Sequence, residues 1–472
     1  MKQHTGKLPF REMLAFGCGD FASVLYWQTF MRYLPFYYTD VFGITAGALA
    51  TMLLVSRVWD GVNDPIIGMW ADRTETRWGK FRPFILFGCV PFAIAGVLTF
   101  TTPGFGPSGK LIWAYLTYNA LMMLYTTVNI PYTALMGVMT NNPVERTRLS
   151  SVKFVFAFSA GIVVSWSLLR IVKAVGGTDT SQHGWTIAWI IVGLVAIGFF
   201  LMVVFGTKER IKPAVDKDSS VGRDLKFLVT NKAWVLLLCT TLTWILFIAL
   251  RSSVSAHYFK YYIYDGEPEK VLSFMGMNYS FTELVSDFNT YGQAASVLGV
   301  VCTGLIASKF PKKGLFITLF ALQIVNYTAF YFLGPSQVGL VFTLEIVGSF
   351  FGAPLPVLMW AMYADTADYG EWKTGRRTTA LVFSASTMSQ KFGWAIAAFL
   401  AFQALQLVGF VANEIPSDAV KQSLVGLMSI YPAILGIISI GIFLLYPLSE
   451  KRMEEINSEL DRRRALAEPS GG

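Results

Sequence analysis

Long runs of apolar residues alternate with short polar segments along the whole chain. Twelve of these runs are long enough to cross a bilayer as helices, because a helix rises about 1.5 Å per residue and the hydrocarbon core is about 30 Å thick. The predicted spans are residues 15–38, 46–70, 83–102, 110–139, 151–172, 185–205, 233–257, 290–308, 314–333, 337–363, 379–408 and 423–447. The pattern therefore predicts an all-α membrane protein.

The spans fall into two groups of six, separated by a polar, charged segment near the middle of the 472 residues. A Gly-x-x-x-Asp-Arg motif at residues 68–73 follows the second span. A degenerate echo at residues 304–313 follows the eighth, although a single weak motif can recur by coincidence. Two six-helix halves with matching loops are the pattern of the major-facilitator transporters. We expect an N-terminal half at 1–205, a cytoplasmic linker at 206–232, a C-terminal half at 233–447 and a cytoplasmic tail at 448–472.

Lysine and arginine are concentrated on one side of the predicted membrane. With the N-terminus in the cytoplasm, most of the 38 Lys and Arg residues fall in the cytoplasmic loops, the linker and the tail. Cytoplasmic loops of membrane proteins carry such an excess. The net charge of +8 is therefore explained by the excess of basic residues on the cytoplasmic side of the membrane, and it gives no support to a nucleic-acid role. We expect a bacterial inner-membrane protein with both termini in the cytoplasm.

The chain carries no sequence signature of an enzyme. Its four cysteines lie in apolar runs, and its three histidines do not have the spacing of a metal site. No nucleophile motif, metal cluster or phosphate-binding loop is visible in the sequence. We therefore expect neither catalysis nor a cofactor, and we expect the protein to act as a monomer.

The second predicted span carries an unusual polar stripe. Arg57, Asp60, Asn63 and Asp64 are three or four residues apart and therefore share one face of a helix. A charge at the centre of a membrane helix costs about 2.5–3.5 kcal/mol. Such a stripe must face a partner, a cavity or an ion rather than lipid. A structural charge network without a role in transport is the open alternative.

Six sequence blocks, in order through both halves, resemble the glycoside–pentoside–hexuronide:cation symporters, the family that includes the melibiose permeases. The blocks are FYYTDVFGI (36–44), RVWDGVNDPIIG (57–68), RWGKFRPF (77–84), NIPY (129–132), ADTADYGEWKTG (364–375) and QKFG (390–393). The resemblance implies a major-facilitator fold that binds sugar near the membrane midplane. It also implies that uptake is coupled to Na⁺, H⁺ or Li⁺.

The resemblance implies a cation site on the second span. The positions that hold the ion in melibiose-type members match Asp60, Asn63, Asp64 and Thr126, and a lysine of helix eleven matches Lys391. Carboxylate, amide and hydroxyl oxygens suit a hard cation such as Na⁺, so we expect Na⁺ or H⁺ at the two aspartates. Lys391 is expected to neutralise them when the ion is absent and to join the ion and sugar sites.

The sugar-binding positions match less completely. Tyr125 and Thr387 match pocket residues of melibiose-type members, and Lys153 stands near the position of a family arginine. Asn129 and, in a gapless count, Val24 replace two sugar-binding aspartates. The sequence therefore predicts a site without these carboxylates, in which Asn129 can still hydrogen-bond to hydroxyl groups. Such a site favours an anionic sugar such as a hexuronide, but it is equally compatible with a neutral glycoside.

Three further residues have both a functional and a structural interpretation. Asp20, at the start of the first span, either reaches the sugar cavity, caps the helix or pairs with a basic loop residue. Tyr26 and Trp360 can stack on sugar rings, although aromatic residues in membrane helices more often pack or lie at the interface. The predicted substrate-binding residues are Asp20, Tyr26, Tyr125, Asn129, Lys153, Trp360, Thr387 and Lys391.

Charged residues follow the second and tenth spans at the predicted cytoplasmic surface. We predict that these two loops close a cytoplasmic gate; the simpler interpretation is solvated loops that obey the positive-inside rule. The predicted gating residues are Asp72, Arg73, Arg77 and Arg82 in the first loop and Asp365, Asp368 and Arg376 in the second. On the outer side, residues 258–289 form either a packed cap on the seventh and eighth spans or a lid that contacts sugar.

The sequence as a whole predicts a cation-coupled symporter that imports a glycoside, hexuronide or oligosaccharide by alternating access, with membrane lipid around it. Two other functions stay open: a lysolipid-type carrier on the same fold, and a transporter-like sugar sensor. A lipid carrier needs a lateral apolar opening, against which the polar residues Asn129 and Lys153 argue. A sensor needs a cytoplasmic effector domain, and the tail is short.

Overall fold

The computed structural model describes residues 7–140, 142–210, 229–267, 270–274, 277–306, 310–374 and 379–467. The chain divides into two compact units. The first unit comprises residues 1–215, 252–293 and 398–424, and the second comprises residues 216–251, 294–397 and 425–472. The first unit therefore combines the N-terminal six helices with short stretches of the C-terminal half.

Six long helices form the N-terminal part of the first unit. They are α1 (Phe10–Arg32), α3 (Ala46–Arg73), α4 (Arg82–Thr99), α5 (Pro107–Met139), α6 (Pro143–Gly176) and α7 (Gln182–Gly206), with the short α2 (Leu34–Phe36) after α1. Helix α1 packs against α6 and α7, α4 against α5 and α7, and α3 against α5. The core between them is aromatic, since Tyr26 stacks on Phe92 and Trp189 stacks on Phe100. Such aromatic pairs add about 0.5–1.5 kcal/mol each beyond the area that they bury.

One carboxylate fixes the loop between α3 and α4. Glu209, just beyond α7, accepts hydrogen bonds from the backbone N–H groups of Lys80, Phe81 and Arg82 at 2.7, 2.9 and 3.0 Å. Donors at the start of a helix lack partners within the helix, and the helix dipole favours a negative charge there. The preceding turn requires Gly79, whose φ is 114° and whose missing Cβ leaves room for the Glu209 carboxylate.

Two buried π-helical turns occupy matching places in the two sequence halves. The first, Tyr37–Phe42, follows α2, and the second, Tyr258–Ile263, continues α8 (Lys232–His257). Nearly all of their residues are buried. π-Helical turns are rare and frequently lie at functional sites. Their positions after the first and seventh predicted spans support the predicted internal repeat.

Both ends of the predicted outer loop at 258–289 are helical, so the irregular part of this loop is shorter than predicted. After the π-helical turn, β1 (Leu272–Phe274) pairs with β2 (Met277–Tyr279) in an antiparallel hairpin, and α9 (Phe281–Ile306) begins at residue 281 rather than 290. The early start has a local cause, because the Glu283 carboxylate accepts hydrogen bonds from the backbone N–H and the hydroxyl of Ser280, both at 2.8 Å. Burial opposes ionisation, but these bonds hold the pKa of Glu283 below its usual value.

The remaining helices belong wholly or partly to the second unit. They are α10 (Lys312–Ala329), α11 (Val338–Gly352), α12 (Pro354–Thr374), α13 (Thr379–Leu407), α14 (Asp418–Met428), α15 (Ile430–Leu444) and α16 (Glu450–Ala467). Helix α10 packs against α11, α12 and α15, and α16 packs against α12. The predicted tail is therefore helical as far as Ala467, and it buries Met453, Ile456 and Leu460.

Each of the twelve predicted spans overlaps at least one helix, and among the described residues the small hairpin is the only β-sheet added to the predicted all-α architecture. Eight helical segments in the described part of the chain are long and apolar enough to cross a membrane. The first, second, eighth and eleventh predicted spans fall on α1, α3, α9 and α13, which are more polar. Three of these four helices, α1, α3 and α13, carry predicted site residues.

Candidate functional site

A buried charge cluster lies on α3. Arg57 Nη1 donates to Asp60 Oδ2 at 3.0 Å, and the two side chains are only 4% and 1% exposed. One turn further on, Asp64 Oδ1 accepts a hydrogen bond from Thr126 Oγ1 of α5 at 2.9 Å. Asn63 is also buried, and its Nδ2 atom has no hydrogen-bond partner among the residues that the structure describes. The fold thus gathers the predicted cation residues, whose role in ion binding stays a prediction.

The donor atoms of this cluster fit a monovalent hard cation. Asp60, Asn63, Asp64 and Thr126 offer carboxylate, amide and hydroxyl oxygens, which suit Na⁺ and include groups that can take up a proton. No cluster of three or more His, Cys, Asp or Glu side chains suited to a metal ion occurs in the described part of the chain. Arg57 pairs with Asp60 in this structure, as in the structural charge network that the sequence left open. The role of Lys391 in neutralising the two aspartates stays a prediction.

A second polar cluster joins α1, α5 and α6. Asp20 Oδ1 lies 3.5 Å from Lys153 Nζ. The Ser23 hydroxyl donates to Asn129 Oδ1, and the Asn129 amide donates to the Tyr125 carbonyl at 3.0 Å. Helix α1 begins ten residues before Asp20, at Phe10. Asp20 therefore does not cap the helix, and its partner Lys153 lies on α6 rather than in a loop. The contact of Asp20 with sugar stays a prediction.

Trp27 and Tyr125 connect the two clusters. Their rings stack with centroids 6.0 Å apart, and the Arg57 guanidinium lies 5.5 Å from the centroid of the Trp27 ring. Tyr125 is also bonded to the polar cluster, because its carbonyl accepts the hydrogen bond from the Asn129 amide. A cation near an aromatic face is attracted by the ring quadrupole. The charge cluster and the polar cluster are therefore connected within the first unit and together form one candidate site.

Sequence reasoning missed Ser23, and it considered Trp27 for stacking on a sugar ring without selecting it. Helical spacing could have identified both, because they lie three and seven residues after Asp20 and therefore share its face of α1. The gapless count placed Val24 at one family carboxylate position and predicted a site without the two family carboxylates. The structure shows the separately predicted Asp20 carboxylate 3.5 Å from Lys153 Nζ. The absence of the two family carboxylates from the sugar site stays a prediction.

Tyr26 packs away from this site. Its ring is fully buried, stacked on Phe92 at 4.1 Å and edge-on to Trp189 at 4.9 Å. This environment is a helix–helix interface, as expected for an aromatic packing residue. We therefore leave Tyr26 out of the proposed substrate site.

Three of the predicted substrate residues lie in the second unit. Trp360 is on α12, with its ring 5.9 Å from that of Tyr363, and Thr387 and Lys391 are on α13. Thr387 is exposed, while Trp360 and Lys391 are half-buried. Their participation in binding stays a prediction.

The first predicted gating loop is anchored within the first unit. Arg82 donates through Nε to the Val204 carbonyl at 2.7 Å, and the Arg77 guanidinium lies 4.7 Å from the Trp78 ring centroid. These contacts hold the loop against α7 and the start of α4. The predicted gating role of Arg77 and Arg82 stays a prediction. The side chains of Asp72 and Arg73 lie outside the described residues.

The second predicted gating loop also has contacts within its own unit. Asp365 Oδ2 accepts from Lys312 Nζ at 2.6 Å, and the Lys312 backbone N–H donates to Glu450 at 2.8 Å. These bonds tie the end of α12 to the starts of α10 and α16. Asp368 is half-buried, and Arg376 lies outside the described residues. The gating role of this loop stays a prediction.

The chain is similar to membrane transporters over nearly its whole length. Residues 15–450 match the family described as MFS/sugar transport protein. The proposed glycoside/cation symporter YagG of Escherichia coli K12 is 34% identical over 97% of this chain and 96% of its own. The isoprimeverose transporter of Lactiplantibacillus pentosus is 32% identical over 98% and 93%, and a glucuronide carrier protein homolog of E. coli K12 is 30% identical over 98% and 97%. These relatives confirm the resemblance to the glycoside–pentoside–hexuronide:cation symporters.

Solved structures confirm the major-facilitator architecture. A bacterial homolog of the human lysosomal transporter Spinster superimposes with a TM-score of 0.65 and 14% identity, over 93% of this chain and 95% of that one. A D-xylose-proton symporter gives a TM-score of 0.63 with 13% identity, over 93% and 96%. At these identities the likeness establishes the fold alone. The family and these structures are transporters, which agrees with the expectation that the chain is not an enzyme.

Proposed function

We propose that this chain, which belongs to the MFS/sugar transport family, is a symporter that couples uptake of a glycoside or short oligosaccharide to Na⁺ or H⁺. The observation that carries the proposal is the candidate site in the first unit, where two intramembrane carboxylates of α3 adjoin a polar cluster. Ionisable residues within membrane helices mark ion and substrate pathways by default. The same pairing of sugar and cation in the name of the relative YagG supports this combination.

The cation binds at the α3 end of the site. Asp60 and Asp64 supply charge, Asn63 supplies an amide oxygen, and Thr126 supplies a hydroxyl that already contacts Asp64. When a cation enters, it competes with Arg57 for the Asp60 carboxylate. This competition lets the ion move the Arg57 guanidinium, which lies 5.5 Å from the centroid of the Trp27 ring.

The sugar binds at the α1–α5–α6 end of the site. Asp20 accepts hydrogen bonds from hydroxyl groups, Lys153 donates them, and Asn129 does both. Trp27 offers a ring face for stacking against a pyranose. Because the single carboxylate of Asp20 offsets the charge of Lys153, the basis for preferring an anionic sugar disappears. Neutral glycosides are therefore the first substrates to test, with glucuronides as the comparison.

Coupling follows from linkage between the two ligands. Tyr125 and Trp27 lie between the clusters, so binding at one end changes the surroundings of the other. If the cation raises sugar affinity by some factor, the sugar raises cation affinity by the same factor. Lys391 of α13 is a second candidate for joining the sites, as the family resemblance implies. The cytoplasmic loops that carry Arg82 and Asp365 would close the inner gate.

Binding can be measured before transport. We would purify the protein in detergent and record thermal unfolding with isoprimeverose, neutral glycosides, glucuronides and lysolipids, each with and without Na⁺ and at several pH values. A ligand that binds only the folded state stabilises it by mass action. We expect a neutral glycoside to raise the melting temperature, and Na⁺ or acid to enlarge that shift.

Matched variants separate the two ends of the site. Asp20→Asn should remove the sugar-dependent shift but preserve ion binding, while Asp64→Asn should remove the effect of the cation. Stabilisation by lysolipid alone would favour the lipid-carrier function instead. A sugar-dependent shift without transport in liposomes would favour the sensor.

A further inference from the structure

A dense polar cluster lies away from the proposed transport site, on the two π-helical turns. The first turn carries Asp40 and the second carries Lys260, so residues of opposite charge stand on equivalent elements of the two sequence halves. Both elements belong to the first compact unit. Their positions, after the first and seventh spans, put the cluster at the predicted outer side of the membrane.

The centre of the cluster is a short, branched ion pair. Lys260 Nζ lies 2.6 Å from Asp40 Oδ1 and also 2.6 Å from Asn413 Oδ1. The Tyr261 hydroxyl donates to the same Asp40 oxygen and accepts a hydrogen bond from the Asn413 backbone N–H at 2.7 Å. The Asn413 amide then donates to the Asp40 carbonyl at 2.9 Å. Asn413 therefore bonds to both sides of the ion pair.

The second carboxylate oxygen of Asp40 is bound as well. It accepts a hydrogen bond from Thr39 Oγ1 at 2.7 Å and lies 3.3 Å from His257 Nε2. His257 is the last residue of α8, and its Nε2 is 2.8 Å from the Thr39 hydroxyl. Three separate chain segments thus converge on one carboxylate: the first π-helical turn, the end of α8 with its turn, and the segment between α13 and α14.

The cluster is almost inaccessible to water. Asp40, Lys260 and His257 are 5%, 1% and 0% exposed. A buried ion pair contributes little to stability compared with an apolar contact of the same size, because both charges lose their hydration. The best-supported role of a buried polar contact is to favour one conformation of the protein over another. When such a contact opens, water hydrates each charge again, so separation costs less than the exposure of an equal apolar surface.

We propose that this cluster is the outer lock of the transporter, which holds the outer ends of the two sequence halves together and opens once in each transport cycle. The proposal rests on the proposed function, because only alternating access requires these ends to separate. We use the name outer lock for Asp40, His257, Lys260, Tyr261 and Asn413. Two peripheral contacts, Arg170–Asp287 at 2.6 Å and Lys173–Ser280 at 2.9 Å, join α6 to the start of α9 beside it.

Thiol accessibility tests the lock without knowledge of the substrate. The four native cysteines are replaced by alanine, and Ser255, which is 5% exposed and lies two residues before His257 near the end of α8, is changed to cysteine. In lipid nanodiscs, a water-soluble maleimide reaches this thiol only when the surrounding ends separate. We expect Lys260→Met and Asp40→Asn to raise the labelling rate by about tenfold or more, a factor that corresponds to ~1.4 kcal/mol.

Three controls keep the result interpretable. The double variant Asp40→Asn/Lys260→Met leaves no unpaired charge, so it remains folded where a single variant does not, and it should label as fast as the single variants. Tyr261→Phe removes one hydrogen bond and should give a smaller increase. Lys421→Met removes a partly exposed ion pair with Asp265 from the same predicted face, 2.6 Å long, and should leave labelling unchanged.

The outcomes separate the lock from the proposed function. Faster labelling in the lock variants without sugar uptake by the wild type would support the lock and refute the symport function. The opposite combination would overturn the lock and leave symport intact. In that case the wild type takes up sugar, but the folded double variant and Tyr261→Phe are labelled only at the background rate. An equal increase in Lys421→Met would also overturn the lock, because any lost outer ion pair would then have the same effect.

Discussion

Replacing Thr126 by valine tests the predicted cation site with the smallest change in shape. The side chain is 1% exposed, and its hydroxyl makes one hydrogen bond to Asp64 Oδ1, at 2.9 Å. Valine keeps the branched volume and therefore the packing of α5, but it removes the only oxygen of the side chain. The change deprives Asp64 of a group that orients it, and it deprives a bound ion of a hydroxyl ligand.

The expected magnitude follows from the way carboxylate ligands are positioned. Groups that orient a ligand typically contribute about 10- to 100-fold to the affinity for the ion, or ~1.4–2.8 kcal/mol. We therefore expect the Na⁺ or H⁺ concentration that gives half of the maximal thermal stabilisation to rise by about 10- to 100-fold. By linkage, sugar affinity should fall at a subsaturating cation concentration and recover when the cation is raised.

The adjacent threonine supplies a matched control. Thr127 is half-buried, and its hydroxyl donates to the carbonyl of Met123 in its own helix at 2.8 Å. Thr127→Val therefore makes the same chemical change one residue away without touching Asp64. If the two variants require the same cation concentration for stabilisation, Thr126 does not belong to the ion site. A melting temperature recorded without ligands reports any loss of folding in either variant.

Three further predictions concern the sugar site, coupling and stability. Asp60→Cys removes an ion ligand, so gradient-driven accumulation should be lost while some sugar binding persists. Asp20→Asn keeps the shape of the side chain but removes the charge that faces Lys153, so sugar affinity should fall about tenfold or more in binding assays. Asp179→Asn should stabilise the fold at neutral pH. Burial raises the pKa of the Asp179 carboxyl above its ordinary value of 3.8, so ionisation opposes folding and the wild type loses stability relative to the variant as pH rises above about 4.

Each of these predictions has a result that contradicts it. Full accumulation on a cation gradient by Asp60→Cys would remove that residue from the ion site. Unchanged sugar affinity in Asp20→Asn would leave Asp20 as a structural partner of Lys153. For Asp179, thermal unfolding of wild type and variant between pH 4 and 8 should give a melting-temperature difference that widens with pH; a constant difference would mean that ionisation of this carboxyl does not control stability.

The sequence predicted the helices well because a membrane span requires a long run of apolar residues, which is visible in the sequence itself. Each of the twelve predicted spans overlaps a helix, and eight helical segments in the described part of the chain are long and apolar enough to cross a membrane. The three- and four-residue spacing of Arg57, Asp60 and Asp64 placed them on one face of α3. The partner of Asp64 was predicted only through the family resemblance, because Thr126 lies 62 residues away on another helix. Local spacing contains no information about which two helices meet.

The errors arose where rotation of a helix or a local cap decides the outcome. Tyr26 and Trp27 are adjacent, yet Tyr26 packs on Phe92 while Trp27 stacks on Tyr125 in the site. Tertiary packing fixes that rotation, and the sequence alone does not show which of two adjacent aromatic residues faces the candidate site. The early start of α9 depends on hydrogen bonds to Glu283, which hydropathy does not detect.

The π-helical turns had no recognisable signal before the structure. The sequence marked Asp40 only as part of a family-like block, and it treated Lys260 as one basic residue of an outer loop. Their contact spans 220 residues of sequence and becomes visible only when the two sequence halves are folded together.

The central claim of cation-coupled sugar uptake is tested most directly by transport in proteoliposomes. The sugar that gives the largest thermal shift would be labelled, and its uptake followed with an inward Na⁺ gradient, an inward H⁺ gradient and no gradient. We predict accumulation above the external concentration with one of the two cation gradients only, and its loss in Asp60→Cys. Equal accumulation without a gradient, or uptake that never exceeds equilibration under either gradient, would contradict the account.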